Sequence, residues 1–178
     1  GINSIIKATK IINHLENNYK KFIKKYNNGS SKSSINIGII KGGENVNVVP
    51  HITSFQIDRR ITIKENINNS FKEIKNFIKR IDKSAKIKFL TGTNAFKSNK
   101  SNLYLKNLIK SYCLVKNRKP KFLNSIGVSD GRYFSNEKVN IINIGPGDGE
   151  QGHKSNEALK INDLTDYFMI LKNFLNFI

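Results

Sequence analysis

The sequence predicts an α/β protein of two domains: an α+β domain of ferredoxin-like order, then a segment in which strands and helices alternate. The prediction rests on two amphipathic helical patterns and several short β-branched runs. The first half reads helix, strand, strand, helix, strand, which is the ferredoxin-like order without its first strand. The second half alternates strand and helix patterns, as α/β layer folds do. A polar connector at 91–100 marks the boundary, giving domains 1–91 and 92–178.

Periodicity predicts each element of the first half. Apolar residues at three- and four-residue steps predict helices over Ile5–Tyr26 and Ile67–Ile81. The first helix should stop near Gly29, since glycine suits a left-handed cap. Its predicted apolar face is Ile5, Ala8, Ile12, Leu15, Tyr19 and Phe22. The strand-like segments are Ile35–Ile40, Val46–Val49, Ser54–Ile63 and Lys86–Leu90.

The second half begins with a helical pattern at Leu103–Val115 and ends with another that reaches Ile178. Asn162 or Asp163 is the predicted cap of the last helix. Between these helices the predicted elements are a short strand at Lys121–Leu123, a short helix from Ser129 through Phe134, and a strand at Val139–Ile144.

Composition limits the classes of function. The formal net charge is +18, but only five of the 31 basic residues are Arg, and they are scattered in a chain rich in Asn and Ile. This is typical of AT-rich codon usage, whereas nucleic-acid binders concentrate Arg and Lys on one face. No apolar run approaches the roughly 20 residues that cross a bilayer, and no secretory signal is visible. The single Cys113 is compatible with a reducing cytoplasm. We therefore expect a cytoplasmic protein that does not bind membrane, and nucleic-acid binding is the less favoured alternative.

A glycine-rich loop near the C-terminus is the most informative segment. The strand-like run Val139–Ile144 leads into Gly145–Gly149, and the loop ends at His153. Glycine allows sharp turns and close approach to a ligand, and a neutral imidazole is a common metal ligand. Alone, a loop His is more often an ordinary surface residue.

Three further polar residues have side chains suited to a carboxylate-bearing substrate: Asn47, Arg60 and Arg132. Arg presents a planar fork that matches a carboxylate, and Asn can hydrogen-bond a carbonyl or an amide. Each also has an ordinary structural interpretation, because charges on an exposed strand are usually solvated. In the same way, Ser129-Asp130 in front of a helical turn is most often a cap.

The order of these segments resembles the M20 metallopeptidases, the group that includes acetylornithine deacetylase and succinyl-diaminopimelate desuccinylase. The motifs similar to the lid, or dimerisation, domain are Gly1–Ile5 opening a helix, Gly42-Gly43 followed by Asn47–Pro50, and Phe55–Arg60. Those similar to the closing part of the catalytic domain are Ser129–Arg132, Gly145–Gly147, His153 and Asn156-Glu157. The resemblance covers essentially the whole chain. It implies a ferredoxin-like lid followed by the C-terminal part of an α/β zinc-hydrolase catalytic domain.

The resemblance also implies a chemistry and a role for individual residues. Two zinc ions, with cobalt or manganese as alternatives, cleave the amide bond of an N-acyl amino acid or small peptide. His153 matches the last metal ligand. The positions that match substrate-binding residues are Asn47, Arg60, Arg132, Gly145 and Gly147, and those expected to support the site are Asp130 and Glu157.

The family's other metal ligands and its catalytic Glu precede the lid, so none of them is in this sequence. We therefore expect a piece of a longer enzyme, inactive alone, that forms a homodimer through the lid. Two alternatives remain at this point: a non-catalytic dimerisation or ligand-binding module from a truncated chain, and a basic nucleic-acid-binding protein.

Overall fold

The computed structural model describes residues 1–124, 127, 129–134, 139–147, 149, 151–152 and 154–178. The chain divides into two compact units. The first comprises Gly1–Phe96 with Asn124–Val128, and the second comprises Lys97–Leu123 with Ser129–Ile178. Each unit is built around its own helices.

The first unit opens with a long helix whose middle is wound more loosely than its ends. It comprises α1 (Ser4–His14), a π-helical turn (Leu15–Tyr19), α2 (Lys20–Phe22) and a 3-10 turn (Ile23–Tyr26). The Asn3 side chain caps it by accepting from the backbone N–H groups of Ile5 and Ile6. The helix predicted over Ile5–Tyr26 is present, but the π-helical turn was not foreseen.

The π-helical turn keeps one row of side chains on the core. The residues of this helix that belong to the core cluster are Ile11, Leu15, Tyr19 and Ile23, at steps of four. In a regular α-helix a step of four residues turns the side chain about 40° beyond its starting direction. A π-helical turn has more residues per turn, so the same step stops short of a full rotation and brings the side chain back towards the core. The predicted face named Ile12 and Phe22. Both are only partly buried, and Ile11 and Ile23 take the central positions instead.

A two-stranded antiparallel sheet follows, formed by β1 (Ser34–Gly42) and β2 (Thr53–Arg60). The register shifts between Ile37 and Ile39, which inserts Gly38 as a bulge. The strand predicted at Val46–Val49 is wrong, because these residues form turns between β1 and β2.

Helix α3 (Ile67–Ile81) has the predicted bounds and packs beside the first helix. It is capped by Asn66, and its buried Ile74 and Ile78 join the core cluster together with Ile35 of β1. The strand predicted at Lys86–Leu90 is not formed among the described residues. Ala85 and Ile87 nevertheless pack against the same core, so the alternation there marks a half-buried extended segment.

The second unit is built on α4 (Leu103–Lys116) and α5 (Ile161–Leu175), which pack against each other. The ammonium group of Lys116 lies 2.6 Å from Asp166 and 3.7 Å from Asp163, and the Asn107 amide donates to the carbonyl of Phe177 at 3.0 Å. Lys160 stands at the N-cap of α5, so the predicted cap at Asn162 or Asp163 is wrong.

The described residues between α4 and α5 form little regular structure. A 3-10 turn spans Asp130–Phe134, where a short helix was predicted. The strands predicted at Lys121–Leu123 and Val139–Ile144 are not formed. The second of these segments is held by side chains instead: Ser98 donates to the carbonyl of Ile141, and the Asn140 amide pairs with the backbone of Asn99.

Candidate functional site

The β-hairpin has a polar face opposite to its packed helices. Along β2, half-buried and exposed side chains alternate, so Phe55, Ile57 and Arg59 lie towards the core. The register places Arg60 opposite Ser34 and Asp58 opposite Asn36 on the other side. This exposed polar surface, called here the outer face, consists of Ser34, Asn36, Gln56, Asp58 and Arg60.

Arg60 stands at the end of β2 on the outer face. Its Nε donates to Oδ2 of Asp58 at 3.1 Å, and the two side chains are 46% and 58% exposed. Ion pairs this exposed contribute about 0–1 kcal/mol. A carboxylate arriving from solvent can therefore compete with Asp58 for the planar guanidinium fork of Arg60.

Asn47, the other predicted substrate-binding residue of this unit, lies in the exposed turns between the two strands. The turn is closed by the N–H of Val48, which donates to the carbonyl of Asn45 at 3.2 Å. The segment is anchored at buried Pro50, whose carbonyl accepts from the N–H of Ser4 at 3.0 Å. The start of α1 thus fixes the base of the loop that carries Asn47.

In the second unit, Arg132 lies in the 3-10 turn that begins at exposed Asp130. Its guanidinium stacks 4.7 Å above the ring of Tyr133 and donates to the Tyr133 hydroxyl at 2.8 Å. Stacking on an aromatic ring holds the plane of the guanidinium in one orientation.

The glycines of the predicted pocket wall differ in what they require. Gly147 has φ +77°, and a Cβ on it would lie 2.6 Å from Cδ1 of Leu159. Its backbone conformation therefore favours glycine, whereas the exposed Leu159 side chain could move away from a Cβ. Gly145 is exposed, and a Cβ there would meet nothing within 4 Å. The positive φ of Gly147 sets the direction of the loop, and there is open space beside Gly145.

The predicted metal ligand His153 lies outside the described residues. Glu157, predicted to support it, is exposed, and its N–H donates to the carbonyl of Lys154 at 3.2 Å. Within the described part of the chain, no group of three His, Cys, Asp or Glu side chains could hold a metal ion. These residues therefore do not make a complete zinc site by themselves.

A buried ion pair that the sequence did not reveal lies directly behind Arg60. Arg59 faces inward, and its NH2 contacts Oε1 of Glu65; the side chains are only 9% and 1% exposed. The Nε of Arg59 also donates to the hydroxyl of fully buried Tyr19 at 3.2 Å. The period of two along β2 signalled that Arg59 and Arg60 point to opposite faces, but it could not identify the partner.

A second carboxylate lies near this pair. The hydroxyl of Tyr26 donates to Oε1 of Glu73, and the other oxygen, Oε2, is buried without a partner among the described residues. The hydrogen bond to Glu73, together with burial, raises the pKa of Tyr26 to about 12. Tyr26 therefore holds its proton at the site.

The fold and the hairpin agree with one protein family. Residues 1–86 match the M20 peptidase dimerisation domain. The first unit is therefore similar to a domain of the M20 peptidases, as the sequence resemblance predicted, and its helices and small antiparallel sheet are consistent with that domain.

The chain is also homologous to hydrolases of this family. It is 27% identical over 159 residues to a LysW-lysine/LysW-ornithine hydrolase of Sulfurisphaera tokodaii, covering 88% of this chain and 44% of that protein. The counterpart in Saccharolobus solfataricus is 27% identical over 147 residues, covering 82% and 41%. That of Saccharolobus islandicus is 28% identical over 147 residues, with the same shares. The chain thus spans less than half the length of the relatives it matches.

Among the helices that the structure describes, none combines the length and the apolar character that crossing a membrane requires.

The Tyr26–Glu73 hydrogen bond predicts a specific response to alkali. The folded-state pKa of about 12 exceeds the ordinary value of about 10. The stability contributed by this bond is therefore complete below about pH 10 and is lost as the pH rises through 12. In an ultraviolet titration of tyrosinate, Glu73→Gln should move one tyrosine to a lower pH, and Tyr26→Phe should remove that component. Tyr104→Phe, which deletes an exposed tyrosine, serves as the control. A Glu73→Gln curve that superposes on the parent curve would contradict the assignment.

Proposed function

We propose that this chain is the lid and the C-terminal catalytic segment of an M20-type metal-dependent amidohydrolase. The complete enzyme would cleave the amide bond of an N-acyl amino acid or small peptide. The names of the relatives give conjugates of lysine and ornithine as substrates. The proposed product is therefore an amino acid with a free carboxylate.

One observation carries the proposal: similarity to hydrolases extends well beyond the dimerisation domain. The family match ends at residue 86, whereas the similarity to the Sulfurisphaera tokodaii hydrolase covers 88% of the chain. A free-standing dimerisation module would account for the first match alone. The second unit is therefore proposed to derive from the catalytic domain, with boundaries at 1–91 and 92–178.

The exposed surface of α5 supports this assignment. Its inner side packs on α4 through buried Ile170. The opposite side, continued just past the end of the helix, carries large apolar side chains at steps of three, four or seven residues, each at least half exposed: Ile161, Leu164, Phe168, Leu175 and Ile178. A contiguous apolar row of this kind marks a surface that is covered in the assembled protein. The remainder of the catalytic domain is its proposed cover.

The substrate side of the proposal rests on the two arginines. Arg60 would bind the substrate carboxylate through its planar fork, and Asn47 would hydrogen-bond the same end of the substrate. Arg132 would contact the substrate from the catalytic segment. Gly145 and Gly147 would line the pocket, where the absence of side chains lets the substrate approach the backbone. Holding the scissile amide in one orientation before the reaction reduces the translational and rotational entropy that is lost on reaching the transition state.

We propose that this chain contributes one metal ligand and two supporting residues to the metal site. His153 would supply one ligand, with Asp130 and Glu157 supporting its geometry, and the remaining ligands would come from the rest of the enzyme. When bound, zinc polarises the amide carbonyl and lowers the pKa of its bound water to about 7. Cobalt and manganese are the proposed substitutes.

The dimerisation domain suggests a homodimer, and we propose that it forms through the lid. Partly buried Ala85 and Ile87 and the outer edge of β2 fit a ferredoxin-like sheet that is completed by a further strand. We also propose a cytoplasmic location, on the basis of the single partly buried Cys113.

Removing the proposed metal ligand tests the chemistry. In the complete enzyme that contains this chain, His153→Ala should abolish metal-dependent release of amino acid from N-acyl amino acids, because it removes a ligand. A chelator should inactivate the parent enzyme, and zinc, cobalt or manganese should restore it. His51→Ala, which changes an exposed histidine, is the matched control and should keep its activity. Unchanged turnover in His153→Ala would overturn the ligand assignment.

Arg60→Ala tests the carboxylate contact. In the same complete enzyme the substitution should raise KM by about 10- to 100-fold and leave kcat within about threefold, because it removes binding common to substrate and transition state. Arg118→Ala, at an exposed arginine elsewhere, is the control for lost charge. An unaltered KM in Arg60→Ala would remove Arg60 from the substrate site.

A further inference from the structure

The buried ion pair of Arg59 and Glu65, which lies behind the outer face, is hydrogen-bonded to the backbone of Arg60. Arg59 NH1 donates to the carbonyl oxygen of Arg60 and reaches the carbonyl of Ser34 at 3.5 Å. Its NH2 is held by Oε1 of Glu65. A single guanidinium thus ties the last peptide group of β2 to a buried carboxylate.

The second carboxylate oxygen of Glu65 fixes the chain on both sides of that strand end. Its Oε2 accepts from the N–H of Thr62 at 2.9 Å and from the hydroxyl of Ser33. Thr62 in turn donates its hydroxyl to the carbonyl of Tyr26 at 2.7 Å. Glu65 therefore connects the residue before β1, the end of β2 and the turn that follows.

We propose that Glu65 is a positioning residue for Arg60. Its carboxylate keeps the Arg59 side chain turned towards the core. Arg59 in turn donates to the carbonyl oxygen of Arg60, and this fixes the backbone from which the Arg60 side chain extends on the outer face. The proposal rests on the proposed function, in which Arg60 binds the substrate carboxylate.

The charge of Glu65 keeps the Arg59 guanidinium in its buried position. A guanidinium stays in a desolvated position only with a paired anion and satisfied hydrogen bonds. Without the anion, Arg59 gains by turning towards water, and it releases the Arg60 carbonyl as it turns. The strand end then loses its defined direction, and Arg60 must be ordered at the moment of binding, which weakens binding.

The test uses the complete enzyme that contains this chain and an N-acyl amino acid substrate. Glu65→Gln keeps the shape of the side chain but removes its charge, and should raise KM about tenfold with kcat within about twofold. Arg59→Lys keeps the positive charge but cannot bridge Glu65 and the Arg60 carbonyl together. It should show the same rise in KM.

Two comparisons separate positioning from a loss of folding. Ile74→Val truncates a buried residue of the same core and should lower thermal stability with KM unchanged. A substrate analogue in which an amide replaces the carboxylate should bind the parent and Glu65→Gln equally. All variants are assayed where circular dichroism shows them folded. If Glu65→Gln does not fold, Ser33→Ala removes only one hydrogen bond to Glu65 and should raise KM about two- to threefold.

The outcomes distinguish this inference from the proposed function. If Arg60→Ala raises KM while the variants of the buried pair match Ile74→Val, the positioning role is wrong and the carboxylate contact stands. If Arg60→Ala leaves KM unchanged, the proposed carboxylate contact is wrong, and the positioning role falls with it. A rise in KM for the amide analogue equal to that for the carboxylate substrate would also overturn the positioning role.

Discussion

The structure of the first unit depends on a buried positive charge, the guanidinium of Arg59. Arg59 is almost fully buried, and such a charge is tolerated only with a buried partner. Glu65 supplies that partner through Oε1, and its Oε2 accepts from Thr62 and Ser33. The hairpin, the turn after it and the start of α3 therefore meet at one carboxylate. Removing one member of such a pair costs more than the pair itself contributes, because the other charge stays buried.

Tyr19 links this polar centre to the apolar core. Its hydroxyl accepts from Arg59, and its ring packs edge-on against Phe77 of α3 with centroids 4.9 Å apart. The side chain is fully buried, and burial raises the pKa of its hydroxyl. The π-helical turn that ends at Tyr19 keeps this residue in the same row as Leu15. The irregular winding of the first helix thus serves the ion pair as well as the core.

Features that depend on local periodicity are predictable from this sequence, whereas those that depend on a partner outside the element are not. The bounds of α3 follow from apolar spacing and were predicted correctly. The strand-like runs at Lys86–Leu90 and Val139–Ile144 have suitable residues, but a strand also needs a neighbour, which a local pattern cannot supply. At the site, alternation along β2 separates Arg59 from Arg60. The partner of Arg59 was invisible because Glu65 reaches it only across the turn after the strand.

The most direct measurement is a double-mutant cycle between Arg59 and Glu65, read out by native-state amide exchange at the fully buried Leu15 and Ile23. Exchange there reports the opening free energy of the lid without requiring the two units to unfold together. We expect Arg59→Met and Glu65→Gln each to lower that free energy by roughly 3–5 kcal/mol, and the double variant to lose little more than either single variant. If the loss of the double variant equals the sum of the two single-variant losses within about 0.5 kcal/mol, the first unit is not organised around this pair.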